Sequence, residues 1–113
     1  MLGLAVTLAA RPARADETQQ FELAKNRFDK GLYAEAERAF GALLDPKLDA
    51  CPKAGAPPGP CRLTEPALVE RSRELLAAAL LATKRPTEAE AQIEALLRAS
   101  PSYAPDTATL PIE

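Results

Sequence analysis

The chain of 113 residues contains no histidine and no tryptophan, and its only methionine is Met1. Histidine is the side chain that most often serves as a general base near neutral pH and as a metal ligand. Without histidine, neither a Ser–His nor a Cys–His nucleophile can be built. The sequence also has no glycine-rich phosphate-binding loop after a strand. These absences predict a protein that is not an enzyme and that needs neither a metal nor a cofactor.

Residues that favour β-strands are also scarce, with two valines, two isoleucines and five aromatic side chains in the whole chain. Alanine and leucine are abundant instead, at 24 and 17 residues, and both favour helices. The length suits one small domain. Because nucleic-acid binders present a basic face, the net charge of −2 argues against that class. We therefore expect an all-α domain that does not bind nucleic acid.

The first fifteen residues join an uncharged apolar run, MLGLAVTLAA, to the A-x-A-like site Ala13-Arg14-Ala15. This combination is typical of a secretory signal peptide, and the run is half as long as the ~20 residues of a membrane-spanning helix. We predict cleavage after Ala15, a secreted or periplasmic mature chain, and no transmembrane segment. The basic residues that usually begin a signal peptide are missing, so an apolar N-terminus on a cytosolic protein is the alternative.

Apolar side chains at helical spacing predict four helices, at about residues 16–30, 33–44, 64–84 and 86–99. The third has the widest apolar face, so we expect it to be the most buried. Residues 102–113 form a proline-containing tail that should be extended. This tail is either disordered or laid along the last helix by Tyr103 and Leu110.

A long insert, residues 47–63, separates the second and third helices and contains both cysteines, Cys51 and Cys61. Proline and glycine supply six of the eleven residues of CPKAGAPPGPC, which excludes a helix or a central strand. We predict a disulfide that closes the insert as a small loop, in agreement with an oxidising compartment. Free thiols, or two of the four ligands of a zinc site, are the alternatives.

Two segments, residues 31–46 and 84–101, follow one pattern when they are offset by 53 residues. The aligned pairs are Ala36 with Ala89, Phe40 with Ile93, Leu43 with Leu96, and Leu44 with Leu97. The offset equals a repeat of ~34 residues plus about the length of the insert. The sequence thus predicts two helical hairpins of the same design, residues 16–46 and 64–101.

At these residues the chain resembles the tetratricopeptide (TPR) repeat, in which small side chains let helices cross closely and larger ones fill the space between hairpins. The resemblance is carried by Ala24, Gly31, Tyr33, Ala36, Phe40, Leu43 and Pro46 in the first unit, and by Ala77, Ala89, Ile93, Leu96 and Pro101 in the second. A secreted pair of such hairpins also looks like periplasmic repeat proteins of Gram-negative bacteria. The resemblance implies two antiparallel hairpins stacked as a short right-handed solenoid.

In TPR-like stacks the first helix of each hairpin lines a groove that binds a protein or peptide partner. By this resemblance, the groove residues are Thr18, Phe21, Lys25, Asp29, Arg71 and Glu74, although Phe21 is better explained as core. The charges of this set have both signs, so no strongly charged target is implied. The resemblance therefore implies an adaptor or scaffold in a periplasmic or envelope assembly.

Two other interpretations are compatible with the sequence. The chain could be a purely structural subunit that packs on another domain or on its own copy, as a homo-oligomer. It could also be a receptor that uses the Cys-closed loop for contact. Because about three repeats are normally needed to bury a continuous core, we expect the tail, a second copy or another protein to cover the last two helices.

Overall fold

The fold is described by a computed structural model for residues 16–52 and 60–104. These residues form the helices α1 (Glu17–Asp29), α2 (Tyr33–Leu43), α3 (Pro66–Ala82) and α4 (Pro86–Ala99), with no strand beyond one isolated bridge. The all-α prediction and the four predicted helices are confirmed. The predicted signal peptide, the tip of the insert at 53–59, and the tail from residue 105 onwards, with Leu110, lie outside the described residues.

Both hairpins turn through a residue in the left-handed region of backbone space. Gly31 has φ 77° in the first turn and Lys84 has φ 64° in the second. Lys84 follows Gly31 by 53 residues, so the second turn repeats the backbone of the first without its glycine. Left-handed geometry costs a residue with a side chain about 1–2 kcal/mol. The packing of the second hairpin therefore overrides the local preference of Lys84.

The two hairpins contact each other through α3, which packs against α1 and α2 as well as against α4. Small side chains lie where the helices meet, since Ala24, Ala36, Ala77 and Ala89 are each 2% exposed or less. A larger side chain at these positions would separate the helices. The four alanines thus allow the close approach on which the contact between the hairpins depends.

Larger side chains fill the space that remains between the helices. Phe21 and Phe40 lie with their ring centroids 6.0 Å apart in the core. Tyr33 meets Phe28 edge to face at the turn, with centroids 5.4 Å apart. Leu43 and Leu96 are buried, and Ile93 packs on the core from its edge. Burial of these side chains removes apolar surface from water and stabilises the fold.

The base of the insert is part of the core. Cys51 and Cys61 form a disulfide, so the predicted pairing is confirmed. An isolated bridge joins Ala50 to Arg62 beside it. Both cysteines are buried with Leu63, whose backbone nitrogen donates a 2.8 Å hydrogen bond to the carbonyl oxygen of Leu43. The base of the insert therefore closes the end of the first hairpin.

After α4 the chain turns back towards α3. The hydroxyl of Ser100 donates a hydrogen bond to Glu70, and the hydroxyl of Tyr103 donates one to Glu74. Both acceptors lie on α3. The start of the tail thus covers part of α3, and Tyr103 reaches across to this helix instead of only following the last one.

Candidate interaction surface

Helix α1 places three of the predicted groove residues on one stripe. Thr18, Lys25 and Asp29 are spaced by seven and four residues, which brings them to the same side of a helix. The ammonium of Lys25 lies 2.9 Å from the carboxylate of Asp29. Thr18 and Asp29 are exposed, and Lys25 is half-buried. This stripe is polar and has both charges matched.

The other two predicted groove residues lie on α3 and are arranged differently. Arg71 is partly exposed, and its guanidinium lies 3.0 Å from the carboxylate of Glu74. Glu74 itself is fully buried. The expectation that Glu74 faces an open groove is therefore wrong. Removing a carboxylate from water requires compensating hydrogen bonds, and Arg71 and Tyr103 supply them.

Tyr103 lies half-buried against this carboxylate. Burial raises the pKa of Tyr103 to about 12, and the hydrogen bond to Glu74 contributes to the rise. At neutral pH the hydroxyl is therefore protonated and can donate to Glu74. Sequence analysis missed this contact because Tyr103 and Glu74 are 29 residues apart.

Glu17 connects the beginnings of α1 and α3. Its carboxylate accepts hydrogen bonds from the backbone nitrogens of Thr64 and Glu65, at 2.7 and 2.8 Å, and from the hydroxyl of Thr64. Glu65 is the N-cap residue of α3 and makes no side-chain cap bond of its own. A negative charge at this end of α3 interacts favourably with the partial positive charge of the helix N-terminus. Glu17 thus fixes the first turn of α1 beside the first turn of α3.

Arg85 connects the second turn to the first hairpin. Its guanidinium lies 2.6 Å from the carboxylate of Glu37 in α2 and 2.7 Å from that of Glu88 in α4. The hydrogen bond from Arg85 lowers the pKa of Glu88. No motif in the sequence marks Arg85, Glu37 or Glu88, because Arg85 and Glu37 lie 48 residues apart in the chain. In the structure this cation links the two hairpins.

An apolar groove of about 390 Å³ lies between α1 and α2, and the base of the insert forms one wall. Leu23 and Arg27 border it from α1, Ala39 and Ala42 from α2, and Cys61 from the insert. Leu23 is half-exposed there. Sequence analysis missed this groove, although the alignment of Leu23 with Leu76 at the 53-residue offset was a usable signal.

Within residues 16–52 and 60–104, no group of three or more His, Cys, Asp or Glu side chains is placed to hold a metal ion. No helix in this part of the chain has the length and apolar character needed to cross a membrane. The chain matches no protein-family model, no curated protein and no solved structure.

Proposed function

We propose that this chain is a non-catalytic protein–protein interaction module of TPR-like, right-handed stacked design, acting as an adaptor or scaffold in a periplasmic or envelope assembly. The observation that carries the proposal is the position of α3. This helix packs against both helices of the first hairpin, with Ala24, Ala36 and Ala77 buried. As a result α1 and α3 are neighbours and offer one joint surface.

The polar side chains of this joint surface indicate the chemistry of the partner. Lys25 and Asp29 neutralise each other, and the charge of Arg71 is matched by buried Glu74. Thr18 adds an exposed hydroxyl. A surface with matched charges favours a protein or peptide of mixed polarity over a strongly acidic or basic ligand. The partner in this proposal therefore binds through shape and scattered hydrogen bonds.

A photo-cross-linking amino acid tests the proposed surface directly. We expect incorporation at Thr18 and at Lys25, in the exported chain in cells, to give a discrete cross-linked species. The matched control places the same amino acid at Thr87, which is exposed on α4. Lys25→Glu should weaken the cross-link formed from position 18. Cross-linking that is equal at Thr87, or absent at both α1 positions, would contradict the proposal.

The disulfide supports the secreted or periplasmic location, because such bonds persist in oxidising compartments. The intact mass of the exported protein tests this part. We expect the mass of residues 16–113, increased on reduction by the mass of two hydrogen atoms. A retained N-terminus, or no change on reduction, would contradict export with cleavage after Ala15 or the disulfide, respectively.

A purely structural subunit is the second candidate, and the apolar groove between α1 and α2 favours it. In that case the surface of α1 and α3 has no partner, and Lys25→Glu leaves every assembly of the protein unchanged. The Lys25→Glu variant distinguishes the two candidates, since it weakens the assembly of an adaptor with its partner, whether or not copies of the chain also bind each other.

A further inference from the structure

We infer that the two ends of the molecule are the two halves of one interface, through which copies of this chain stack head to tail. This inference goes beyond the proposed adaptor function, because it concerns a contact between copies of this chain and not the binding of a different protein by α1 and α3. It rests on comparing each exposed apolar side chain with its counterpart 53 residues away.

The first comparison concerns Leu23 in α1 and its counterpart Leu76 in α3. Leu76 is 6% exposed and lines a recess with Glu37 and Gly41 of α2, so it lies at the contact between the hairpins. Leu23 is 48% exposed beside the groove between α1 and α2. The same repeat position is thus covered by the neighbouring hairpin at Leu76 and left exposed at Leu23.

The turn before α2 gives a second comparison. Leu32 is the counterpart of Arg85, which reaches Glu37 across the contact between the hairpins. Leu32 is 42% exposed. It therefore faces the side on which a further hairpin would lie. Leu23 and Leu32 together define what we call the leading face.

The opposite end of the molecule shows the complementary pattern. Leu81 in α3 and Leu97 in α4 are 38% and 39% exposed. Their counterparts are Phe28 and Leu44, both packed against the core. Leu81 and Leu97 define the trailing face.

The tail completes this trailing face. Glu74 occupies the repeat position of Phe21, so the second hairpin has a carboxylate where the first has an aromatic ring. The hydroxyl of Tyr103 donates a hydrogen bond to that carboxylate, so an aromatic residue of the tail lies beside this repeat position. The trailing face therefore offers one aromatic and two leucine side chains at positions where the first hairpin has two aromatic side chains, Phe21 and Phe28, and one leucine, Leu44.

These four leucines include every large hydrophobic side chain that is exposed in residues 16–52 and 60–104. Two lie on each end, at repeat positions whose counterparts in the other hairpin are buried, packed against the core or paired across the contact between the hairpins. A second copy placed on the leading face would continue that contact with its own trailing face. Because the two faces differ, the contact is head to tail and leaves one free face at each end of a dimer.

Charged substitutions at one face at a time test the inference. We expect the wild-type protein to show a mass that rises with concentration in light scattering and sedimentation. Leu23→Glu and Leu97→Glu should each remain monomeric when studied alone. Mixed in equal amounts, they should form a dimer of twice the monomer mass and nothing larger, since each variant keeps one intact face and the intact faces are complementary.

Thr87→Glu is the matched control, because it adds the same charge at an exposed position whose counterpart, Ala34, is also exposed. It should assemble like the wild type. Circular dichroism and thermal unfolding should show all three variants folded. A wild-type protein that stays monomeric up to about 1 mM overturns the inference. Dimers formed by Leu23→Glu alone, or no dimer in the mixture, overturn it as well.

Discussion

The hairpin of α1 and α2 uses aromatic side chains at repeat positions where the hairpin of α3 and α4 has aliphatic or charged ones. Phe21 corresponds to Glu74, and Phe40 corresponds to Ile93. Phe21 and Phe40 are buried against each other, whereas Ile93 packs only at the edge of the core. The aromatic side chains that fill the core thus come from the first hairpin.

The two hairpins also differ in what lies on their outer sides. The base of the insert closes the end of the first hairpin with the disulfide, and Tyr103 of the tail covers part of the second. A fold of two hairpins has few internal contacts, and each hairpin of this chain also packs against a segment from outside the repeat. Equivalent positions in this short repeat thus differ according to the segment that covers them.

The largest expected effect comes from truncating the aligned pair Phe40 and Ile93. We expect Phe40→Ala to lower the free energy of unfolding by about 3–5 kcal/mol, because it removes a fully buried ring. Ile93→Ala should cost clearly less, about 1–2 kcal/mol, because its side chain is only partly buried. Chemical denaturation measures both. Equal losses would show that the two hairpins contribute equally to the core.

Loss of the disulfide tests the dependence of the first hairpin on the insert. The double variant Cys51→Ser/Cys61→Ser should have a free energy of unfolding about 2–3 kcal/mol below that of the wild type, since the bond closes a short loop in the unfolded chain. Adding reductant should destabilise the wild type and leave the variant unchanged. A variant as stable as the oxidised wild type would mean that the insert does not support the hairpin.

Removal of the Tyr103 hydroxyl tests the corresponding role of the tail. Tyr103→Phe should lower the free energy of unfolding by about 1–2 kcal/mol, because Glu74 stays buried with one hydrogen bond fewer. The pKa of Tyr103 is raised to about 12, above about 10 in the unfolded chain.

The stabilisation due to Tyr103 is therefore complete below pH 10 and is lost as the pH rises towards 12. Between these values the wild type should lose stability more steeply than Tyr103→Phe in urea titrations. Parallel curves would contradict the contact between the tail and α3.

The smallest effect is expected at the two turns, where it should have opposite signs. Gly31→Ala should destabilise the protein by about 1 kcal/mol, because alanine is strained at φ 77°. Lys84→Gly should stabilise it by about 0.5–1 kcal/mol by relieving the same strain. Thermal unfolding of the two variants checks the pair. A destabilised Lys84→Gly protein would show that the lysine side chain stabilises the fold by more than its backbone strain costs.

The local features of the fold could be predicted from the sequence. Helix periodicity, proline at first turns and the spacing of the cysteines are short-range signals, and they give the four helices and the disulfide pair. The 53-residue offset also identifies Ala24, Ala36, Ala77 and Ala89 as packing positions, because close helix contacts demand small side chains. All four are buried.

The candidate surface was less predictable, because it depends on contacts between residues far apart in the chain. Glu74 has the pattern of a solvated helix residue, and its burial depends in part on Tyr103, 29 residues later. The links made by Arg85 and Glu17 bridge 48 and 47 residues. The sequence alone does not show whether a carboxylate on a helix is hydrated or is paired with a cation far along the chain.

The bonds made by Glu17 have a consequence for the order in which the chain matures. Thr64 and Glu65 are synthesised 47 and 48 residues after Glu17, so the opening turn of α1 obtains its final contacts only when the beginning of α3 has emerged. Both helices of the first hairpin and the whole insert, with its two cysteines, precede Thr64 in the chain. The first hairpin therefore has to be held by its own packing until α3 begins to form.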